Sequence, residues 1–303
     1  MLALAVAIEL GLACSFYQVL HLGRGARRVA LAMLGPAILL APQLIPPDRR
    51  FARLLAAILA VAEAGKLFDL LLGADRGDRP RFRSTFAFLI NPASMVRRKL
   101  DLEPRPTRRE DWRRLASMSL ATVPGVVLFL VCYLLDWRAV PFAVEHSAKA
   151  LLLFAIIVPG GSAGAALWRL LGGQARDPMN NPFAASTPAD FWRRWNRPAQ
   201  QFFLEDVYKP LGGPRQPIRA TLATFLVSGL LHEYLFDIAA SRVQGYQIAY
   251  FLIQGVGVMA TMRGRRRGLS KFPTIAATLA FNLATGILFF ASLDEVVAFY
   301  ARR

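Results

Sequence analysis

Four charge-free apolar runs, 115–135, 150–168, 244–262 and 272–293, constrain this chain more than anything else in it. Each is close to the roughly 20 residues that a hydrocarbon core requires of a helix. In lipid no water can satisfy the backbone, so such runs must close their own hydrogen bonds as helices. Four further apolar runs carry polar interruptions: Glu9 in 1–22, Pro36, Pro42, Pro46 and Pro47 in 29–47, Glu63, Lys66 and Asp69 in 54–73, and His232 and Glu233 in 219–238. The expectation is an all-α polytopic membrane protein, residues 1–303 forming a single integral-membrane domain of about eight transmembrane helices. A hydrophobic content of 55% and a mean hydropathy of +0.37 agree with it.

Basic residues orient the helices. Arg24, Arg27 and Arg28 follow the first run and none precedes it, so it does not read as a cleavable signal peptide and its N-terminus is expected outside. Taking alternate loops as cytoplasmic divides the Lys/Arg residues 26 to 7. That asymmetry places 74–114 and 186–210 in the cytoplasm and both termini outside, with Arg265 cytoplasmic and Arg303 exterior. The net charge of +17 is spread over short loops, where anionic headgroups and topology account for it and nucleic acid is not implied. Arginine outnumbers lysine 32 to 5, the mark of a GC-rich genome, and a bacterial inner membrane is the expected location.

Between the apolar runs, 82–100 has an apolar centre too short to span, so it should lie in the interface or dip in and return. Glu63, Lys66 and Asp69 recur at three-residue spacing and should pair as a self-neutralised seam. In 186–210, Thr187, Pro188 and Asp190 form a helix start, the aspartate placed for a capping box. Phe191, Trp192 and Trp195 alternate with Arg193, Arg194 and Arg197, the mixture found at a headgroup boundary. Pro198 should break that helix and leave Asn196 at the break.

His232 and Glu233 lie where hydrocarbon should be, and ionisable groups at that depth normally face a cavity or a partner. Ser228 and Gly229, four and three residues earlier, share the His232 face and let a substrate or another helix approach the imidazole. Gly229, Gly255 and Gly257 are small enough to leave a lateral opening or to pack helices closely. Phe236 stands where a zinc protease would need its second histidine, and with histidines only at 21, 146 and 232 no metal is expected. Cys14 and Cys132 fall within apolar runs and imply no disulfide.

The segments Pro188-Ala-Asp-Phe-Trp-Arg-Arg-Trp-Asn196, Tyr208-Lys-Pro-Leu211 and Phe225-Leu-Val-Ser-Gly-Leu-Leu-His-Glu233, in that order, carry a resemblance. The sequence resembles the membrane-bound O-acyltransferase superfamily, in its wax-synthase-like branch, over about 50 of its 303 residues. The resemblance implies helices around a catalytic chamber where acyl-CoA from the cytosol, a co-substrate rather than a cofactor, meets a hydroxyl-bearing lipid acceptor. It implies that His232 is the catalytic histidine and Asn196 its accompanying polar residue. Trp192, Arg193, Arg194, Trp195, Arg197, Ser228 and Glu233 are the expected substrate contacts.

On the residues alone His232 is either a general base for a hydroxyl or a packed polar residue bonded to a carbonyl. Asn196 either polarises a carbonyl, holds the acceptor or orients the imidazole, or it only finishes the helix break. Acetylation of a glycan or small natural product is the alternative within the enzymes. A transporter or channel with an intramembrane His-Glu pair is the alternative outside them.

Overall fold

The computed structural model describes residues 1–102, 106–137, 140–262 and 271–300. Eleven α-helices make up most of it: α1 (Leu2–Val19), α2 (Arg24–Leu40), α3 (Arg50–Asp75), α4 (Phe82–Leu89), α5 (Arg108–Leu134), α6 (Phe142–Leu170), α7 (Pro188–Arg194), α8 (Arg197–Phe202), α9 (Pro217–Ala240), α10 (Tyr246–Thr261) and α11 (Lys271–Leu293). Among the described residues there is no strand. Every expected apolar run is a helix, and six are long and apolar enough to cross a membrane: α1, α2 with its 3₁₀ continuation to Leu44, α5, α6, α9 and α11.

The expected count of eight spans is not reached by that measure, for two different reasons. α3 has 26 residues but carries buried Glu63, Lys66 and Asp69. α10 is free of charge but has only 16 residues, and at a rise of about 1.5 Å per residue it falls short of a hydrocarbon core about 30 Å thick. Arg265 and Arg303, expected on opposite sides of the membrane, lie outside the described residues.

Local chemistry explains where the helices begin. Thr107 accepts from the Glu110 amide while the Glu110 carboxylate takes the Thr107 amide at 2.7 Å, a reciprocal pair that starts α5. Leucines such as Leu120 and Leu134, 72% and 79% exposed, give α5 an apolar outer surface suited to lipid. α5 pairs with α6, and α9 packs between α3 and α10. Phe16, Leu20, Ile38, Leu67 and Phe88 gather α1 to α4 into one core, and Leu235, Phe236, Phe290 and Phe299 join α9, α11 and the C-terminal segment in another.

Segment 82–100 holds the eight-residue α4, after which Asn91 donates to the Gln174 carbonyl at 2.6 Å. The charged seam on α3 is built differently from the expectation. Lys66 pairs with Glu63 at 2.9 Å and donates to the Leu89 carbonyl, whereas Asp69 is taken by Arg98. A buried carboxylate takes whichever guanidinium the fold delivers, and here it arrives from the 82–100 segment.

Candidate active site

His232 projects from α9 with its ring half-buried. Its Nδ1 lies 2.8 Å from the Ser228 carbonyl oxygen one turn earlier. A carbonyl only accepts, so this bond assigns the proton to Nδ1 and, in the neutral ring, leaves the Nε2 lone pair open. The serine thus serves through its backbone. The ring lies 4.3 Å from that of Phe251 on α10, tilted by 38°.

Close packing of α9 on α10 makes this contact. A Cβ on Gly229 would lie 3.1 Å from the Ile248 Cα, one on Gly255 2.9 Å from the Phe225 Cβ, and one on Gly257 2.7 Å from the Phe281 ring. These three glycines therefore pack helices instead of leaving a lateral opening. Glu233 secures the same pair from the other end. Its buried carboxylate accepts the amides of Gln244 at 3.1 Å, Gln247 at 2.9 Å and Ile248 at 3.2 Å, and that of Gly245 as well. Four backbone donors at the start of α10 thus meet one anion, which also complements the helix dipole.

The 186–210 segment supplies the other wall. Thr187 caps α7 by accepting from the Asp190 amide at 3.0 Å, but the aspartate reaches back to the Ser186 amide and not to that of Thr187. Trp192 does not lie in a surface film. Its indole N–H donates to Gln254 Oε1 at 2.9 Å, and its ring contacts Phe225 and Phe251 at centroid distances of 5.4 and 5.6 Å. Phe251 is therefore held between His232 and Trp192. Gln254, fully buried, passes the contact on to α11 by donating to Thr285 at 2.8 Å. Sequence reading overlooked Gln254, although a glutamine inside a charge-free run was a signal that something polar must meet it.

Trp195 stacks on Phe191 at 5.7 Å and meets Phe154 of α6 edge-on. The three arginines divide. Arg194 pairs with Asp190 at 3.0 Å and reaches the Asn180 carbonyl, and Arg197 reaches the Asp177 carbonyl at 3.4 Å. Arg193 also reaches Asp190, at 3.4 Å, but its side chain stays 70% exposed. Asn196 sits at the expected break, with φ +40 and ψ +60, and its Oδ1 accepts from the Ala199 amide at 3.4 Å to cap α8. Its side chain is exposed, and no hydrogen bond joins it to His232 among the described residues.

On the neighbouring face of α9, Val227 and Leu231 line an apolar cavity of about 480 Å³ together with Gly65, Phe68, Met95 and Phe202. Asp206, on a π-helical turn at 203–208, forms its polar corner and shares Arg98 with Asp69, which lies 2.7 Å from the same guanidinium nitrogen. Desolvation and the Asp69 carboxylate push Asp206 up from 3.8 to about 6, against the pull of Arg98. A carboxyl raised in this way stabilises the fold in its protonated form. That contribution is complete below about pH 4 and is lost as pH rises through 6. Asp206→Asn removes the titration, so its melting temperature in detergent, followed by tryptophan fluorescence, is expected to gain on wild type between pH 5 and 7. A constant difference across that range would exclude Asp206 as the titrating group.

Residues 151–289, from α6 through α11, match the model of the membrane-bound O-acyltransferase family. That stretch holds the α7 motif, Asn196, His232 and Gln254. Among curated proteins the chain is similar to acyl-CoA–sterol O-acyltransferase 1 of Arabidopsis thaliana, 27% identical over 210 residues, covering 63% of this chain and 61% of that protein. It is similar to probable long-chain-alcohol O-fatty-acyltransferase 8 of the same plant, 32% identical over 140 residues, 42% of either chain. Probable sterol O-acyltransferase 2 of Schizosaccharomyces pombe is 37% identical over 71 residues, 21% of this chain and 15% of that one. The chain thus spans between two fifths and three fifths of the length of the first two relatives. The membrane-bound O-acyltransferase region supplies the helix pair around His232, while the apolar cavity also draws on α2, α3 and Met95 from outside it.

Proposed function

We propose that this protein is an acyl-CoA-dependent O-acyltransferase that esterifies the hydroxyl of a lipophilic acceptor. The observation that carries the reading is His232: a half-buried imidazole in a membrane helix, its Nδ1 occupied by the Ser228 carbonyl, next to the apolar cavity flanked by Val227 and Leu231. A cavity of several hundred cubic ångströms with an apolar lining suits a lipid chain. The relatives' printed names, sterol and long-chain-alcohol O-acyltransferases, support the same class of acceptor.

In this mechanism Nε2 removes the acceptor's hydroxyl proton as its oxygen attacks the thioester carbonyl. The carbon–sulfur bond then breaks, and the imidazolium returns the proton to the departing thiolate, giving an ester and free coenzyme A. Nδ1–H stays on the Ser228 carbonyl throughout and fixes the ring. Asn196 uses Oδ1 on α8 and keeps its amide N–H₂ for the thioester carbonyl. Trp192, Trp195 and Arg193 border the entry of the donor from the cytoplasm, a reading that the 26 to 7 division of basic residues supports for the inner face of a bacterial cytoplasmic membrane.

Membranes containing the protein, given radioactive long-chain acyl-CoA and a long-chain alcohol or sterol, should form a chloroform-extractable neutral ester. A polar labelled product would transfer the assignment to acetylation, and no product would remove it from the enzymes. Asn196→Ala is expected to lower kcat by about 10²- to 10³-fold if its amide meets the developing oxyanion. A cap alone would cost about 0.5–2 kcal/mol of stability and leave kcat intact. Turnover and melting measured on one preparation separate the two.

A further inference from the structure

Arg76, Arg79, Arg81 and Arg83 crowd the short stretch that leads from α3 into α4. All four are exposed, and none of them meets a carboxylate among the described residues. The two acids of the stretch are already taken: Asp75 accepts from Arg27 at 2.5 Å, with Arg28 at 3.7 Å, and Asp78 pairs with Arg97. Asp75 also ties α2 to this corner, because Arg24 donates to its backbone carbonyl at 3.3 Å. Gly77, at φ +91, ends α3 and turns the chain toward α4, with the Asp78 amide on the Gly73 carbonyl at 3.0 Å.

The helix that follows sets an apolar face beside this charge. Thr85, Phe88 and Leu89 are buried, whereas Phe82, Phe86 and Ile90, at four-residue spacing, are 39–50% exposed. Phe82 stacks on Phe86 at 6.2 Å and meets Tyr17 of α1 edge-to-face at 5.2 Å, which fixes the face in place. α1 ends and α2 begins at this corner, and both are long and apolar enough to cross a membrane, so charge and aromatic face sit where hydrocarbon gives way to headgroups. A positive-inside bias asks only for arginines on one side; it does not ask for a cluster whose carboxylates are spent and whose neighbour is an exposed aromatic face. An anionic lipid answers both features. Guanidinium takes phosphate through paired N–H bonds, and a choline headgroup brings a cation of its own to the same surface, so several guanidiniums favour a headgroup without one.

We propose that the α3–α4 connection and the exposed face of α4 bind an anionic phospholipid, its headgroup on Arg76, Arg79, Arg81 and Arg83 and its acyl chains along Phe82 and Phe86. A free phosphate would use the arginines and leave the aromatic face bare, so the lipid accounts for more of the surface. None of these residues lines the apolar cavity beside α9, and the site is independent of the acyltransferase reading.

Full-length protein carrying Phe86→Trp would be placed in phosphatidylcholine nanodiscs with a minor fraction of brominated phosphatidylglycerol or, separately, of brominated phosphatidylcholine. Bromine quenches a nearby indole, and subtracting the signal of the five native tryptophans isolates the introduced one. Brominated phosphatidylglycerol is expected to quench with about tenfold higher apparent affinity than brominated phosphatidylcholine, and Arg76→Gln/Arg79→Gln/Arg81→Gln/Arg83→Gln in the same protein should remove that preference. Arg109→Gln/Arg113→Gln, which takes charge from the start of α5 instead, should leave it unchanged. Equal quenching by the two lipids overturns the proposal, and so does a preference that survives the four substitutions or is lost equally in the α5 pair. Inorganic phosphate at matched ionic strength should not displace the lipid; if it does, the arginines form a site for soluble anions and the lipid assignment fails. Should the four-arginine variant not fold, salt takes its place. Raising ionic strength from about 0.01 to 1 M shortens the screening length from about 30 to 3 Å, so the preference for phosphatidylglycerol should collapse, and its persistence would reject the site.

Discussion

His232→Ala is expected to slow acyl transfer by about 10²- to 10⁴-fold at equal membrane expression, the range that a positioned general base contributes. The expectation is specific because the ring is oriented from one side only. Nδ1 is fixed on the Ser228 carbonyl, 2.8 Å away, and Phe251 packs against the ring, so the open nitrogen is Nε2. Fold should survive the change, since the imidazole bonds to a carbonyl that keeps its place in the α9 ladder without it. The measurement is initial rate against acyl-CoA with a saturating lipid alcohol, together with a melting curve. Wild-type turnover by the alanine variant would take His232 out of the mechanism, and a large fall in melting temperature would give it a packing role instead.

Glu233→Ala is expected to damage the protein more than its catalysis. The amides of Gly245, Gln247 and Ile248 at the start of α10 lose their acceptor, while Gln244 keeps its second bond, to Asp237 at 3.2 Å. A buried donor left unpaired costs about 1–3 kcal/mol. Several at once take a large share of the 5–15 kcal/mol that typically holds a domain folded. The expected result is loss of monodisperse protein in mild detergent, with α9 no longer secured to α10. Glu233→Gln retains one carbonyl oxygen and turns an amide N–H₂ toward the other donors, so it should fold with a lowered melting temperature. Were the glutamine variant as stable as wild type and altered only in KM, Glu233 would be a substrate contact, as the sequence suggested, and not the anchor of α10.

The sequence by itself determined the helices. Apolar runs near membrane length become helices wherever they occur because the backbone has no other partner in lipid, so all eight runs could be read without knowing their neighbours. The break between α7 and α8 was equally legible, since Thr187 as a cap and Pro198 as an interruption act within a few residues. His232 stood out because an ionisable group in hydrocarbon is costly wherever the rest of the chain goes. Tertiary structure decided everything that required a partner. Asp69 could have turned to Lys66 three residues away, yet it pairs with Arg98, 29 residues on, because the 82–100 segment brings that guanidinium into reach. Gly229, Gly255 and Gly257 read equally well as openings or as contacts until packing placed Ile248, Phe225 and Phe281 against them. Trp192 looked like an interfacial anchor, and only the assembled helices gave its indole Gln254 to bond and Phe251 to pack against. Helix formation in a membrane is a local requirement of the backbone, whereas pairing of buried charges and aromatic rings depends on which faces the assembled bundle brings together.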